Sequence, residues 1–239
     1  MTEMLFRSDA YMRDAPAIVT RITEEGGIVL NQSVFYPTGG GQPGDSGALE
    51  WDGNRLPLAT AIKGQGEEII LVPSEASQMP PLGAHVIQSL DWDRRYRHMR
   101  VHTALHLLSV VVPFGVTGGQ ISAAHGRLDF DMPDAPQERD SLEVALNELV
   151  EMDARVVQDW ISQEELAANP KLVKTMAVQP PKGVGPVRLI QIGEGVNLID
   201  VQPCGGTHVA RTGEIGALRL GKMENKGRKN RRIYVHLES

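Results

Sequence analysis

Residues 101–108 read VHTALHLL, and the reading of this stretch decides the fold. Two histidines stand four apart inside an apolar run. In a helix, positions i and i+4 share a face, so His102 and His106 can aim one nitrogen each at a single centre. The helical pattern runs from Arg94 to about Val112, where Pro113 stops it. Everything upstream has a different period.

Residues 1–72 are β-rich. AIVTRIT (17–23) and GIVLNQSVF (27–35) alternate or run apolar between turn signals, and EIILV (68–72) does the same. Between them FYPTGGGQPGDSG (35–47) crowds glycines and two prolines into a stretch that neither a helix nor a regular strand tolerates. PSEASQMPPLG (73–83) is the most linker-like segment. These features predict a domain boundary near residue 88, with a β-barrel-like domain over 1–88 and a second domain over 89–239.

Downstream of the histidine helix, QISAAHGRLDFD (120–131) predicts two strands around His125 and Gly126. Leu142, Ala145, Leu146, Leu149, Met152 and Val156 predict one apolar face of a helix from Gln137 to about Val157. Ser162 and Glu165 form a capping box for a short helix ended by Pro170. Strands are expected at VRLIQI (187–192), VNLI (196–199), GALRL (216–220) and RRIYVHL (231–237), the last two joined across a basic turn. The whole predicts an α+β protein: a small N-terminal β-barrel with a glycine-rich motif, then a two-layer α+β domain.

Composition is that of a globular chain, with 41% hydrophobic residues. The longest nearly apolar run, Ala104 to Val116, falls short of the ~20 residues of a membrane span. The N-terminus lacks the layout of a signal peptide, and a single cysteine excludes an internal disulfide, which together predict a cytoplasmic protein. The net charge of −6 argues against nonspecific wrapping of nucleic acid. The charge is uneven, however. Residues 219–232 hold seven Lys or Arg against one Glu, and Arg94, Arg95, Arg97 and Arg100 form a second cluster. Such patches attract phosphate or simply face solvent.

A second pair with the same spacing lies a hundred residues on, in PCGGTH (203–208). Here Cys204 and His208 flank two glycines. Three imidazoles and one thiolate are the donor set that Zn²⁺ takes in tetrahedral geometry, so one zinc per chain is expected. Four protein ligands ordinarily close a structural site, whereas the hydroxyls of Thr103 and Thr207 within the two motifs lean towards chemistry. Asp200 could brace a ligand histidine, although an exposed loop acid is the plainer reading. His85, His98, His125 and His236 have no partner at ligand spacing and read as surface or satisfied histidines.

HTALH (102–106) with CGGTH (204–208), TGEIG (212–216) and the ENKGRKNRR turn resembles the editing domain of alanyl-tRNA synthetase. FYPTGGGQPGDSG resembles the glycine-rich motif upstream of that domain. Without a nucleotide-binding or aminoacylation module, the chain looks like the free-standing, ATP-independent alanyl-tRNA editing proteins. The resemblance is strongest over 35–47, 91–108 and 202–232 and weakest over the first thirty residues and 50–88. It implies hydrolysis of the ester in mischarged tRNA(Ala), chiefly seryl and also glycyl, at a zinc held by His102, His106, Cys204 and His208. It implies that Thr38 meets the serine hydroxyl and that Thr103 and Gln120 line the pocket. Gln42 and Asp45 fit the motif, with shaping of its turn as their alternative role. The basic turn, Lys226, Arg228, Lys229, Arg231 and Arg232, is expected to contact the acceptor stem. Two other functions fit the same residues: a noncatalytic tRNA-binding module with structural zinc, and a deacylase for another aminoacyl-tRNA. The oligomeric state is not set by the sequence.

Overall fold

The computed structural model describes residues 1–75, 78–134, 139–174 and 185–238. The chain divides into two compact units, Met1–His98 and Met99–Ser239. Among the described residues, no helix is long and apolar enough to cross a membrane.

The first unit contains β1 (Glu3–Met4), β2 (Asp14–Ile22), β3 (Ile28–Leu30), β4 (Gln32–Ser33), β5 (Gly47–Trp51), β6 (Asn54–Lys63), β7 (Ile69–Pro73) and β8 (His85–Leu90). Six of these strands close into a barrel in the order β2-β3-β7-β6-β5-β8. Closure pairs every barrel strand on both sides and fills the interior with alternate side chains. In β2 these are Ala15, Ala17 and Val19, which meet Leu30, Phe35, Leu49, Leu56 and Leu71 in one core. Asp52 and Gly53 join β5 to β6, both with positive φ (43° and 77°). That is the backbone of a two-residue hairpin, and Asp-Gly is its usual sequence.

The glycine-rich segment has tight packing as its reason. A Cβ on Gly44 would stand 2.0 Å from the carbonyl oxygen of Ala61, so only glycine passes there. The Thr38 hydroxyl accepts from the Gly44 amide at 2.8 Å and lies 3.3 Å from the Ala61 carbonyl. Asp45 anchors the segment from within. It is 1% exposed, accepts the Tyr36 amide at 2.6 Å, and is gripped by the guanidinium of Arg95 through Nε at 2.9 and 3.0 Å and through Nη2. Arg95 also donates to the carbonyls of Ala10 and Val34. Gln42 is likewise buried.

The arginine cluster expected from sequence is therefore only partly a surface patch, with Arg97 exposed and Arg94 half-buried. Arg95 is wholly buried in its ion pair, and Arg100 donates through Nε and Nη2 to the carbonyl of Ile215. Both sit on α1 (Trp92–Val111), which begins in the first unit and continues into the second.

The second unit continues with β9 (Val116–Ile121), β10 (His125–Asp131), α2 (Arg139–Glu151), β11 (Val156–Ile161), α3 (Gln163–Ala168), β12 (Val187–Ile192), β13 (Asp200–Pro203), β14 (Leu218–Gly227) and β15 (Asn230–Leu237). Four strands form an antiparallel sheet in the order β14-β15-β10-β9, and three form another in the order β11-β12-β13. Gly126 marks where α1 crosses the first of these sheets. A Cβ there would come 2.7 Å from Val101 and 3.0 Å from Leu105, so the helix lies directly on the strand. Along the outer edge of the sheet, α2 side chains bond the backbone of β14. Asn147 bonds both the N–H and the C=O of Leu218, Glu143 accepts the Leu220 amide, and Arg139 donates to the Leu220 carbonyl.

Three expectations need correction. The hairpin of residues 120–131 turns before His125, which opens β10. The helix predicted to Val157 starts, in its described part, at Arg139 and stops at Glu151. Asp153 then takes φ 45°, which ends helical geometry, and Val156 opens a strand instead. VNLI is not a strand. Residues Gly195–Asn197 form a 3₁₀ turn with Val196 fully exposed, and the strand follows at Asp200. The Ser162/Glu165 capping box is present, with both of its bonds made.

Candidate metal centre

His102 and His106 project from one face of α1, four residues apart as helical geometry dictates. Cys204 and His208 come from the loop that follows β13. The four candidate donor atoms all lie within 4.8 Å of one another. The Cys204 Sγ is 3.4 Å from His102 Nε2 and 3.3 Å from His208 Nε2. Tetrahedral bonds of about 2.3 Å to sulfur and 2.0–2.1 Å to nitrogen imply ligand separations of about 3.6 Å, so the set fits a single small divalent ion.

The loop is held from behind. Arg188, on β12, donates through Nη1 to the carbonyls of Cys204 (3.1 Å) and Gly206 (2.8 Å), while the Cys204 amide bonds the Arg188 carbonyl. The three histidines are 5–8% exposed. Cys204 is only half-buried, and next to it Gly205 is exposed, with nothing within 4 Å of where its Cβ would be. The cluster is thus walled by helix and sheet and reachable from its thiolate side.

Electrostatics divide the donors. Burial alone would raise the Cys204 thiol, but the imidazoles of His102 and His208 outweigh it and hold the group well below its usual range. Burial pushes His208 well down, and the neighbouring His102 adds to this. His106 goes the other way. Burial opposes its charging, yet the hydrogen bond to Asp200 and the Cys204 thiolate bring it up to about 9. At pH 7 His106 therefore carries a proton that a metal must displace. Uptake of a divalent ion at pH 7 is expected to release the His106 proton and to weaken progressively as pH falls below about 9, where that proton competes with the ion. Calorimetry in buffers of differing ionisation enthalpy measures this, and release of no proton would contradict the assignment.

Asp200 is not the exposed loop acid that its surroundings suggested. It is 3% exposed and places Oδ2 3.1 Å from His106 Nδ1. Thr103 is wholly buried, with Oγ1 3.1 Å from His208 Nδ1. Gln120 pairs with Arg127 on the sheet face opposite the one that receives α1. There it lines a hollow of about 200 Å³ with Ser122, His125, Arg127, Arg232 and Tyr234, and none of the four donors borders it. His125 stacks on His236 at 5.4 Å. His98 is neither surface nor satisfied. It is 2% exposed, its Nδ1 has no partner among the described residues, and burial drives its pKa down to about 4. Sequence reading did not single out Lys174, Gln202 and Arg188. Nothing in the local pattern marks them, since each acts on a partner brought to it by the sheets.

The basic turn between β14 and β15 is less free than its composition. Lys226 pairs with Glu224 at 3.0 Å. Arg231 donates to Asn225 and to the carbonyls of Gly227 and Pro133. Arg232 shares the carboxylate of Asp129 with Arg127. Arg228 and Lys229 have no ion pair among the described residues.

The comparisons with known proteins agree with this picture. The family described as threonyl and alanyl tRNA synthetase second additional domain matches residues 187–234, which carry Cys204 and His208. The family described as tRNA synthetases class II (A) matches residues 11–94. The chain is 35% identical over 247 residues to the alanyl-tRNA editing protein AlaX-M of Methanosarcina acetivorans, covering 99% of both chains. It is 34% identical to AlaX-M of Saccharolobus solfataricus over 98% of each. An alanine–tRNA ligase of Pyrobaculum arsenaticum matches at 35% over 93% of this chain but only 25% of its own length. Sharing sequence from end to end with the free-standing proteins, and only a quarter of the ligase, the chain belongs to the alanyl-tRNA editing proteins of the AlaX-M type.

Proposed function

We propose that the protein hydrolyses the ester joining a wrong amino acid to tRNA(Ala), serine above all and glycine second, at a zinc ion held by His102, His106, Cys204 and His208. The observation that carries this reading is the convergence of four soft donors, open on the Cys204 side, in a chain matched throughout by alanyl-tRNA editing proteins. Bound zinc would supply Lewis acidity to water or to the ester carbonyl. The chain's own part is to hold the donors, to keep the histidines dry, and to leave the Cys204–Gly205 side open to an esterified amino acid. Asp200, the acid beside the donors, has both oxygens engaged and does not serve as a general base. An aminoacyl ester is labile enough for that absence to matter little. The test is deacylation of tRNA charged with serine, glycine, alanine or threonine, with and without a chelator. Chelator-sensitive release of serine with alanine spared is expected, and failure to release any of the four would overturn the reading.

Serine exceeds alanine by one oxygen, so size cannot admit the first and exclude the second. A partner that must bond the hydroxyl can. Thr38 is our candidate. Because its hydroxyl also caps the Gly44 amide, Thr38→Ser serves as the control that keeps the turn. Thr38→Val is expected to lower kcat/KM on Ser-tRNA(Ala) about 10–100-fold, the worth of one unmade buried hydrogen bond. Unchanged kinetics would remove Thr38 from the mechanism.

The acceptor stem would dock through phosphate contacts with the β14–β15 turn, where Lys226, Arg228, Lys229, Arg231 and Arg232 lie. Arg228 and Lys229, the unpaired pair, should dominate. Replacing both with alanine is expected to flatten the slope of log K against log salt by about 1.5, the share of two released counterions. An unaltered slope would mean that RNA binds elsewhere.

A further inference from the structure

The metal centre rests on a row of polar side chains behind it, in which Asp200 Oδ2 and Gln202 Nε2 both lie 3.1 Å from His106 Nδ1. A carboxylate only accepts, so the 3.1 Å contact of Asp200 Oδ2 with His106 puts the hydrogen on Nδ1. The Thr103 hydroxyl spends its single hydrogen on the Met99 carbonyl at 3.0 Å. It is therefore an acceptor towards His208 Nδ1 at 3.1 Å, as it is towards the Val209 amide at 3.3 Å. Once a metal has displaced the His106 proton, both imidazoles present Nε2 as their donor, and His208 Nε2 is the atom that faces the sulfur.

Asp200 is itself held on both oxygens. Lys174 Nζ lies 2.5 Å from Oδ1, and Gln202 Nε2 donates to Oδ2 at 2.7 Å. Gln202 also reaches the hydroxyl of Ser109, which donates to the carbonyl of His106. These bonds matter because they fix the carboxylate against His106 Nδ1, on the side of the ring away from Nε2. Held by Lys174 and Gln202, Asp200 braces His106. Lys174 is fixed by its own backbone, whose carbonyl accepts the Val116 amide at the start of β9.

We propose that Asp200 and Thr103 are positioning residues that lock His106 and His208 as Nε2 donors, with Lys174 and Gln202 fixing the Asp200 carboxylate against His106. This inference rests on the four-donor metal reading. Outer partners of this kind are worth about 10–100-fold in metal affinity where they have been removed.

The experiment is a titration of chelator-stripped protein with Zn²⁺ in competition with a chromophoric chelator, paired with Co²⁺ absorption spectra. Asp200→Ala and Thr103→Val are each expected to bind Zn²⁺ about 10–100-fold more weakly than the unaltered chain. Asp200→Asn and Thr103→Ser keep an acceptor and are expected to recover most of that loss. Lys174→Met, at a position 30% exposed and outside the core, is expected to keep the fold and the thiolate-to-cobalt band. Its Zn²⁺ affinity should fall, but by less than in Asp200→Ala, as the carboxylate loses one of its two anchors. Affinities within twofold of the original in Asp200→Ala and Thr103→Val would overturn the inference while leaving the metal reading intact. No metal uptake by the unaltered chain would remove both.

Discussion

Cys204→Ala is expected to lose stoichiometric metal on dialysis against a mild chelator and to release serine from Ser-tRNA(Ala) no faster than buffer. The sulfur is the one anionic donor of the set and lies 3.3–3.4 Å from two of its imidazoles. Without it a divalent ion would face three neutral nitrogens in a largely buried place, its charge uncompensated. Since outer partners alone are worth about 10–100-fold in affinity, loss of this ligand should exceed that range. The fold should persist, because the carbonyls of Cys204 and Gly206 remain tied to Arg188 whatever side chain stands between them. Full metal content in the variant would strike Cys204 from the ligand set, and unaltered deacylation would remove the cation from the chemistry.

Arg95→Met is expected to destabilise the first unit by about 3–5 kcal/mol, seen as a lower denaturant midpoint with metal binding by the second unit as an independent control. Removing one member of a buried ion pair leaves the other charged and dry. Asp45 is 1% exposed and would keep only the Tyr36 amide among its named partners, and the carbonyls of Ala10 and Val34 would lose their donor. Replacing both partners, Asp45→Leu with Arg95→Met, should cost less than the sum of the single changes, because no orphaned charge then remains. A loss under about 1 kcal/mol in Arg95→Met would show the pair to be dispensable.

What the sequence made legible was whatever has a short period or a fixed spacing. The strands of residues 17–35 and 68–72 show their alternation, α1 shows its apolar run and its proline stop, and the two four-residue spacings meet as one donor set. Asp52-Gly53 was equally legible as a hairpin signal and would have placed β5 and β6. Charge was read poorly for a physical reason. Arg95 looks like part of a solvated cluster until Asp45, fifty residues away, is folded against it. Asp200 looks like a loop acid until Lys174, twenty-six residues earlier, arrives at its other oxygen. Local sequence carries propensity, but the burial of a charge depends on a partner that only tertiary structure supplies. The overrun of the second helix has a similar origin. Val156 keeps the apolar phase of the helix, but Asp153, whose carboxylate bonds Arg211, turns the chain first.

The hold of α2 on β14 has a consequence at high concentration. An unguarded outer strand offers its amides and carbonyls as a template for a neighbour's chain, the first step towards runaway stacking. Here Arg139, Glu143 and Asn147 occupy those groups at Leu218 and Leu220, so the start of this outer strand is already spoken for and offers a stray strand no foothold there.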